Sequence, residues 1–356
     1  MKGLILAGGT GTRLRPLTYS GAKQLVPVAN RPILFYVLDN LAEADIRDIV
    51  VIVSPETGPE VQAAVGDGSR WKARLTFVVQ QHPGGLAHAV KVAGPALGND
   101  DFCMFLGDNL IGTKIRSAAD AFRASPDLSA LLMLKEVSNP SNFGVAEVNG
   151  SGEVVRLIEK PANPRSKLAL VGIYFFRSSV FAAIERIRPS ARGELEITDA
   201  VAELIASGGR VHFEHVHSWW LDTGKKDDLL LANDTVLDSW LVTENLGTVD
   251  ADSKLIGRVR LEAGARIVRS VVRGPAIIGE GATITDSRIG PFTSIGPSVQ
   301  VERSVVDRCV IMEGSTLEGV ERIEDSLVGR RVLIRRTSRP GQVLSLLVGD
   351  DCRVEL

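Results

Sequence analysis

Gly8, Gly9 and Gly11 follow directly on the apolar run Leu4 to Ala7, and Arg13 stands just beyond them. Glycines in that pattern let backbone N–H groups approach phosphate oxygens closely, and a guanidinium adds charge-assisted donors. Two other phosphate loops are excluded. A dinucleotide fingerprint needs glycine where Leu14 stands, and a P-loop needs Lys-Ser or Lys-Thr soon after Gly11. The same glycines also suit a plain tight turn from strand to helix. Lys23, in Gly21-Ala22-Lys23-Gln24-Leu25-Val26-Pro27-Val28, lies between this loop and an apolar run. It either folds back over bound phosphates or remains a solvated surface group.

Asp108 ends the run Phe102-Cys103-Met104-Phe105-Leu106-Gly107-Asp108. A carboxylate at the carboxyl tip of a buried strand suits Mg²⁺, which takes one or two carboxylates and leaves other positions to substrate phosphates. Asp222, in Trp219-Trp220-Leu221-Asp222-Thr223-Gly224, could supply the second. Either aspartate also fits a helix cap or a turn.

These groups need elements to position them. Gly3 to Ala7, Ile49 to Val53, Leu75 to Val79, Phe102 to Leu106 and Ala130 to Leu134 read as buried strands. Between the first two, Leu34, Val37, Leu38 and Leu41 fall at helical spacing within Ile33 to Ala44. Strand–helix alternation implies an α/β fold with a mostly parallel, Rossmann-like sheet covered on both faces, with ligands beyond the carboxyl ends of its strands.

The rest of the chain is of another kind. Only Phe292 of the 18 aromatic residues follows residue 245. Apolar or β-branched residues recur every six from Val271 through Ile277, Thr283, Ile289 and Ile295 to Val301, with Ile-Gly pairs at 278–279, 289–290 and 295–296. That period marks a parallel β-helix, whose narrow core takes small branched side chains and no large rings. A β-sandwich would show period-two alternation instead. The expected domains are residues 1–244 and 245–356.

The chain has 356 residues, a length that favours two domains, and its 41 Lys plus Arg nearly balance 43 Asp plus Glu. A net charge of -2 argues against a nucleic-acid binder. No run approaches a membrane span, and the apolar stretch after Lys2 is too short for a signal peptide. Cys103, Cys309 and Cys352 are scattered without metal-ligand spacing, so a reducing compartment, the cytoplasm, is expected.

In order, Leu6-Ala7-Gly8-Gly9-x-Gly11-x-Arg13-Leu14, Lys23, Gly85-Leu86-Ala87-His88-Ala89, Gly107-Asp108-Asn109, Phe143-Gly144, Glu159-Lys160-Pro161, Glu196-Ile197-Thr198-Asp199 and Trp220-Leu221-Asp222-Thr223-Gly224 resemble the sugar-nucleotide pyrophosphorylases. The match is closest to the glucose-1-phosphate thymidylyltransferases of the long form, which also carry a trailing left-handed β-helix. The resemblance implies that Arg13 and Lys23 grip a triphosphate while Lys160 holds a sugar phosphate, these three being the catalytic cations. It implies nucleotide contacts from Leu6, Gly8, Gly9, Gly11 and Thr12, with Gln80 and Gly85 facing the base. Asn109, Gly144, Glu159, Leu170, Val171 and Trp220 would line the sugar pocket, and Asp108 and Asp222 would bind Mg²⁺. The substrates implied are dTTP, with UTP second, and α-D-glucose-1-phosphate. No nucleophilic side chain is required, and none with a recognisable base beside it is present.

Two positions depart from the family pattern. His88 stands where short members usually have glutamine, and Phe143 replaces a usual tyrosine, which removes one donor near the sugar. His88 also reads as an ordinary buried histidine. Three rivals are weighed. The first is a uridylyl-, adenylyl- or guanylyltransferase of the same fold: the resemblance implies that Gly85-Leu86-Ala87 favours thymine or uracil, so a purine enzyme would usually differ there, whereas a UTP-preferring enzyme stays open. An acyltransferase β-helix would need a histidine base, yet all five histidines precede the repeats. A non-catalytic sugar-nucleotide binder would be expected to lose Arg13, Lys23 or an aspartate. The tail is expected to serve self-association into a homo-oligomer rather than chemistry.

Overall fold

The computed structural model describes residues 1–9, 11–336 and 346–355. Lys2–Leu6 forms β1, Asp48–Val53 β2, Arg74–Val79 β3 and Phe102–Leu106 β4, four parallel strands in the order β4-β1-β2-β3. Covered on both faces, the central strands read as continuous apolar runs, and Leu4, Ile5, Phe102, Met104 and Phe105 have no exposed surface. Helix α1, Ile33–Glu43, buries Leu34, Val37, Leu38 and Leu41 completely, as the helical spacing requires.

Further strands extend the sheet. They are β6 (Leu128–Glu136), β7 (Gly144–Val148), β8 (Val154–Glu159), β9 (Leu168–Phe176) and β10 (Arg210–His215), whereas β5 (Asn109–Ile111) lies outside it. Strand β9 runs antiparallel to β4, β6 and β7, so the sheet is mixed beyond its parallel half. The register of β9 against β6 shifts between Leu170 and Tyr174, where Gly172 has φ 77°. Among the described residues β11, Trp220–Asp222, pairs only with β5.

From residue 244 the chain winds into three parallel sheets of seven, seven and five short strands, the architecture of a left-handed parallel β-helix. Its core is a column of Val, Ile, Leu and Ala, including Ile267, Val272, Ile278, Ile284, Ile289, Ile295 and Val301. Through the first coils the repeat is 17 residues, as the stacked pairs Ser270–Ser287 and Ser287–Ser304 show. A 17-residue coil cannot be three equal sixes, so one side is shorter. The six-residue count therefore holds at Ile289, Ile295 and Val301 but is one residue early at Val271, Ile277 and Thr283, whose neighbours Val272, Ile278 and Ile284 fill the core.

The chain divides into two compact units, Met1–Thr10 with Leu34–Asp222, and Gly11–Ile33 with Thr223–Leu356. The second unit thus contains the β-helix, helix α7 (Lys226–Trp240) and the early segment that carries Arg13 and Lys23. None of the described helices is long and apolar enough to cross a membrane.

Candidate active site

In the first unit, β1 ends at Leu6 and delivers Ala7 and Gly8 beyond the sheet. A side chain at Gly8 would meet Val53 backbone at 3.4 Å and Gln80 Oε1 at 3.6 Å, so Gln80 lies beside the glycine loop. Gln80 follows β3 and donates Nε2 to His88 Nδ1 at 2.8 Å, and more weakly to Gly85 O at 3.5 Å. Gly85 precedes α3 (Leu86–Leu97) with φ 96°. A Cβ there would lie 2.5 Å from Leu195 O, and Leu195 O itself accepts from Ala87 N at 3.0 Å. Glycine is obligatory at that approach. His88 is therefore the partner that orients Gln80, beyond the reading of it as an ordinary buried histidine.

Asp108 immediately precedes β5, and Asp222 ends β11, its antiparallel partner strand. Asp222 is the register partner of Asn109, and Asn109 Nδ2 donates to Asp108 Oδ1 at 2.9 Å. Asn109 is 3% exposed, and its Oδ1 accepts from Trp220 Nε1 at 2.6 Å. The Trp220 ring meets Phe143 edge-on at 5.1 Å, and Gly172 in the β9 bulge leaves room for Asn109, whose Cγ would be 3.3 Å from a Cβ there. Among the described residues no group of three or more His, Cys, Asp or Glu could hold a metal unaided. Carboxylates are hard oxygen donors of the kind a divalent cation can take beside substrate oxygens.

A second group gathers around Glu159 at the end of β8. Lys160 Nζ lies 3.3 Å from Glu159, and Arg192 Nη2 lies 3.2 Å from it and 2.8 Å from Glu196. Lys160 has φ 43°, a costly left-handed conformation for a lysine, with its N–H on Phe143 O at 3.0 Å. A Cβ at Gly144 would strike Leu170, Thr198 and Glu159, so these residues border one space. Val171 is wholly buried in β9, whereas Leu170 reaches that space. Burial, with Glu196 nearby, holds the Asp199 carboxyl above its ordinary value. Arg192 had no motif to point to it. The only signal is an arginine in the polar loop Ser190–Glu194, where positioned loops often carry function.

In the second unit, Thr12–Leu14 and Lys23–Leu25 form single 3₁₀ turns. Gly11 has φ 60°, and a Cβ on it would lie 2.9 Å from Lys23 Cβ. Lys23 is only 6% exposed, which removes the solvated-surface reading. Thr18 Oγ1 donates to Gly11 O at 2.7 Å and closes the loop. Arg13 lies over Gly224, where a Cβ would come within 2.8 Å of Nη2. Gly11 thus packs against Lys23, and Gly224 against Arg13.

The family described as nucleotidyl transferase matches residues 2–239. A glucose-1-phosphate thymidylyltransferase of Streptomyces antibioticus is 46% identical over 356 residues, 100% of this chain and 99% of the relative. A low-salt glycan biosynthesis nucleotidyltransferase of Haloferax volcanii is 45% identical over 93% of this chain and 92% of the relative. A crystal structure of a Bacillus anthracis protein assigned as a glucose-1-phosphate thymidylyltransferase, in complex with sucrose, matches with TM-score 0.63 at 36% identity. It covers 69% of this chain and 98% of that one. The chain belongs to the nucleotidyl transferase family, among the glucose-1-phosphate thymidylyltransferases.

Proposed function

We propose that the protein transfers a thymidylyl group from dTTP, with UTP as second donor, to α-D-glucose-1-phosphate, giving dTDP-glucose and pyrophosphate. A phosphate oxygen of the sugar phosphate forms a bond to the α-phosphorus. The bond from that phosphorus to the bridging oxygen breaks, and its electron pair leaves with pyrophosphate. Both reactants are anions, so positioning and positive charge supply most of the acceleration. Arg13 and Lys23 are assigned to the triphosphate, with backbone donors from Gly8, Gly9, Gly11 and Thr12 and an apolar contact from Leu6. Gln80 and Gly85 are assigned to the base. Lys160 is assigned to the sugar phosphate, and Asn109, Gly144, Glu159, Leu170 and Trp220 to the sugar pocket, with Val171 behind them through its backbone alone.

Asp108 and Asp222 would hold Mg²⁺. When bound there, the ion would neutralise phosphate charge and help align the triphosphate. Residues 1–244 are the proposed catalytic domain and 245–356 the β-helix domain, with a homo-oligomer in the cytoplasm and no nucleic-acid or membrane partner.

The observation that supports this reading best is similarity from end to end to thymidylyltransferases, in a chain where Asn109, the register partner of Asp222, donates to Asp108. The test is pyrophosphate release across a panel of nucleoside triphosphates and sugar-1-phosphates. The highest kcat/KM is expected with dTTP and glucose-1-phosphate. Equal or better turnover with ATP or GTP would overturn the donor assignment. Lys23→Ala should damage the chemical step and triphosphate binding, whereas Lys160→Ala should chiefly raise the sugar-phosphate KM.

A further inference from the structure

The segment that carries Arg13 and Lys23 is built from pieces too short to hold themselves. It has two single 3₁₀ turns, then a hairpin of Pro27–Val28 and Arg31–Pro32 with two residues per strand. Such pieces are marginal alone and must take their conformation from a neighbour. The hairpin turn is Ala29-Asn30, with φ 48° and 60°. Two-residue hairpins want that left-handed pair, but alanine is a poor residue for it.

The neighbour is the β-helix, in the same compact unit. On the downstream side, the fully buried Asn233 of α7 accepts from Ala29 N at 3.0 Å and from Ser294 Oγ at 2.6 Å, and donates to Phe292 O at 3.0 Å. Asn30 Nδ2 donates to Ile295 O at 2.7 Å. On the upstream side, Ser20 Oγ donates to Asp350 Oδ2 at 2.9 Å, and Pro16 lies directly on Gly349. Lys23 sits between these two attachments, one to a middle coil and one to the last described coil.

We propose that the β-helix is a scaffold for the phosphate-gripping segment, and that Asn233 and Asn30 are positioning residues that fix the backbone bearing Lys23. The inference rests on the assignment of Lys23 to the triphosphate. It gives the tail a part in the reaction besides assembly.

The test compares Asn30→Gly, Asn233→Ala, Asn233→Asp and Lys23→Ala in the full chain, by steady-state kinetics with dTTP and glucose-1-phosphate. Asn30→Gly keeps the left-handed turn and removes only the side-chain attachment, so it decides the matter if Asn233→Ala does not fold. Misplacing a reacting group by about an ångström costs on the order of 100-fold. Asn30→Gly and Asn233→Ala are therefore expected to lower kcat roughly 10- to 100-fold and to raise the dTTP KM. The glucose-1-phosphate KM and the melting midpoint of Asn30→Gly should be unchanged. Asn233→Asp retains the acceptor for Ala29 and should recover part of the loss. Wild-type kinetics in Asn30→Gly and Asn233→Ala, beside a crippled Lys23→Ala, would overturn the scaffold role alone. Wild-type turnover in Lys23→Ala would overturn the assignment beneath it.

Discussion

Asp222 stands opposite Asn109 in a three-residue antiparallel ladder, and Asn109 passes that position on to Asp108 through a 2.9 Å hydrogen bond. Both ends of the Asn109 amide are engaged, since Trp220 Nε1 donates to its oxygen at 2.6 Å. An amide held at both ends cannot rotate. It presents Asp108 Oδ1 in one orientation next to the ladder that carries Asp222.

Asp108→Asn and Asp222→Asn should each lower Mg²⁺-dependent turnover by about 10²- to 10³-fold, the scale for removing one electrostatic stabiliser from an active site. Both residues are only half-buried, so circular dichroism and melting should be near wild type. Turnover by either variant, or by wild type in excess chelator, at an undiminished rate would remove the metal from this pair.

The Gln80–His88 bond carries a second expectation. With Nε2 committed to His88 Nδ1 at 2.8 Å, the Gln80 amide leaves Oε1 as its unspent acceptor, on the Gly8 side. Such an acceptor suits the N3–H of thymine or uracil and opposes cytosine, whose N3 is itself an acceptor. His88→Leu frees the amide to rotate. The dTTP-to-dCTP ratio of kcat/KM is expected to fall at least about 10-fold, within the range that one polar contact gives to specificity. An unchanged ratio would show that His88 does not orient the base contact.

How much of this the sequence made legible depends on the reach of each interaction. The parallel strands and α1 declared themselves because burial on both faces, or on one helical stripe, is written in consecutive residues. The β-helix was legible from its period and its lack of aromatics, but its phase was not. A single five-residue side per coil shifts the count, so Val272 rather than Val271 enters the core. The Arg192–Glu159 pair joins residues 33 apart, with no local pattern to announce it. The grouping of residues 11–33 with the β-helix was invisible for the same reason, since Asn233 and Ala29 are 204 residues apart.

His215 gives the stability a pH dependence of predictable sign. It ends β10, its ring lies 4.4 Å from that of His217, and its buried Nδ1 has no hydrogen-bond partner among the described residues. Burial chiefly, then His217 and Lys135, hold its pKa below the ordinary 6.5, against a smaller opposing pull from Glu136. Protonation therefore favours the unfolded chain. The contribution to stability is full above the ordinary imidazole value and is lost as pH falls through the lower folded-state value. Urea midpoints between pH 7.5 and 5 should decline in wild type and decline less in His215→Gln. Parallel curves for the two proteins would assign the pH dependence elsewhere.

The β-helix contains a serine ladder whose middle rung should matter most. Ser287 Oγ accepts from Ser304 N at 3.0 Å and donates to Thr285 O at 2.6 Å. Ser270 does the same one coil earlier, towards Ser287 N at 3.0 Å and Val268 O at 2.7 Å. Each hydroxyl thus closes a corner where the backbone turns and the ladder of one sheet stops before the next begins. Ser287 is 4% exposed, so Ser287→Ala leaves the Ser304 N–H buried without an acceptor. An unmet buried donor costs about 1–3 kcal/mol, more than the net value of the hydrogen bond itself. Ser253 accepts from Ser270 N at 2.9 Å but is only half-buried, and water can replace its hydroxyl. Ser287→Ala should therefore lower the unfolding free energy of the β-helix by about 1–3 kcal/mol, and Ser253→Ala by clearly less. Denaturant titration of both variants against wild type reads the difference. Equal losses would mean that burial of the donor does not set the cost.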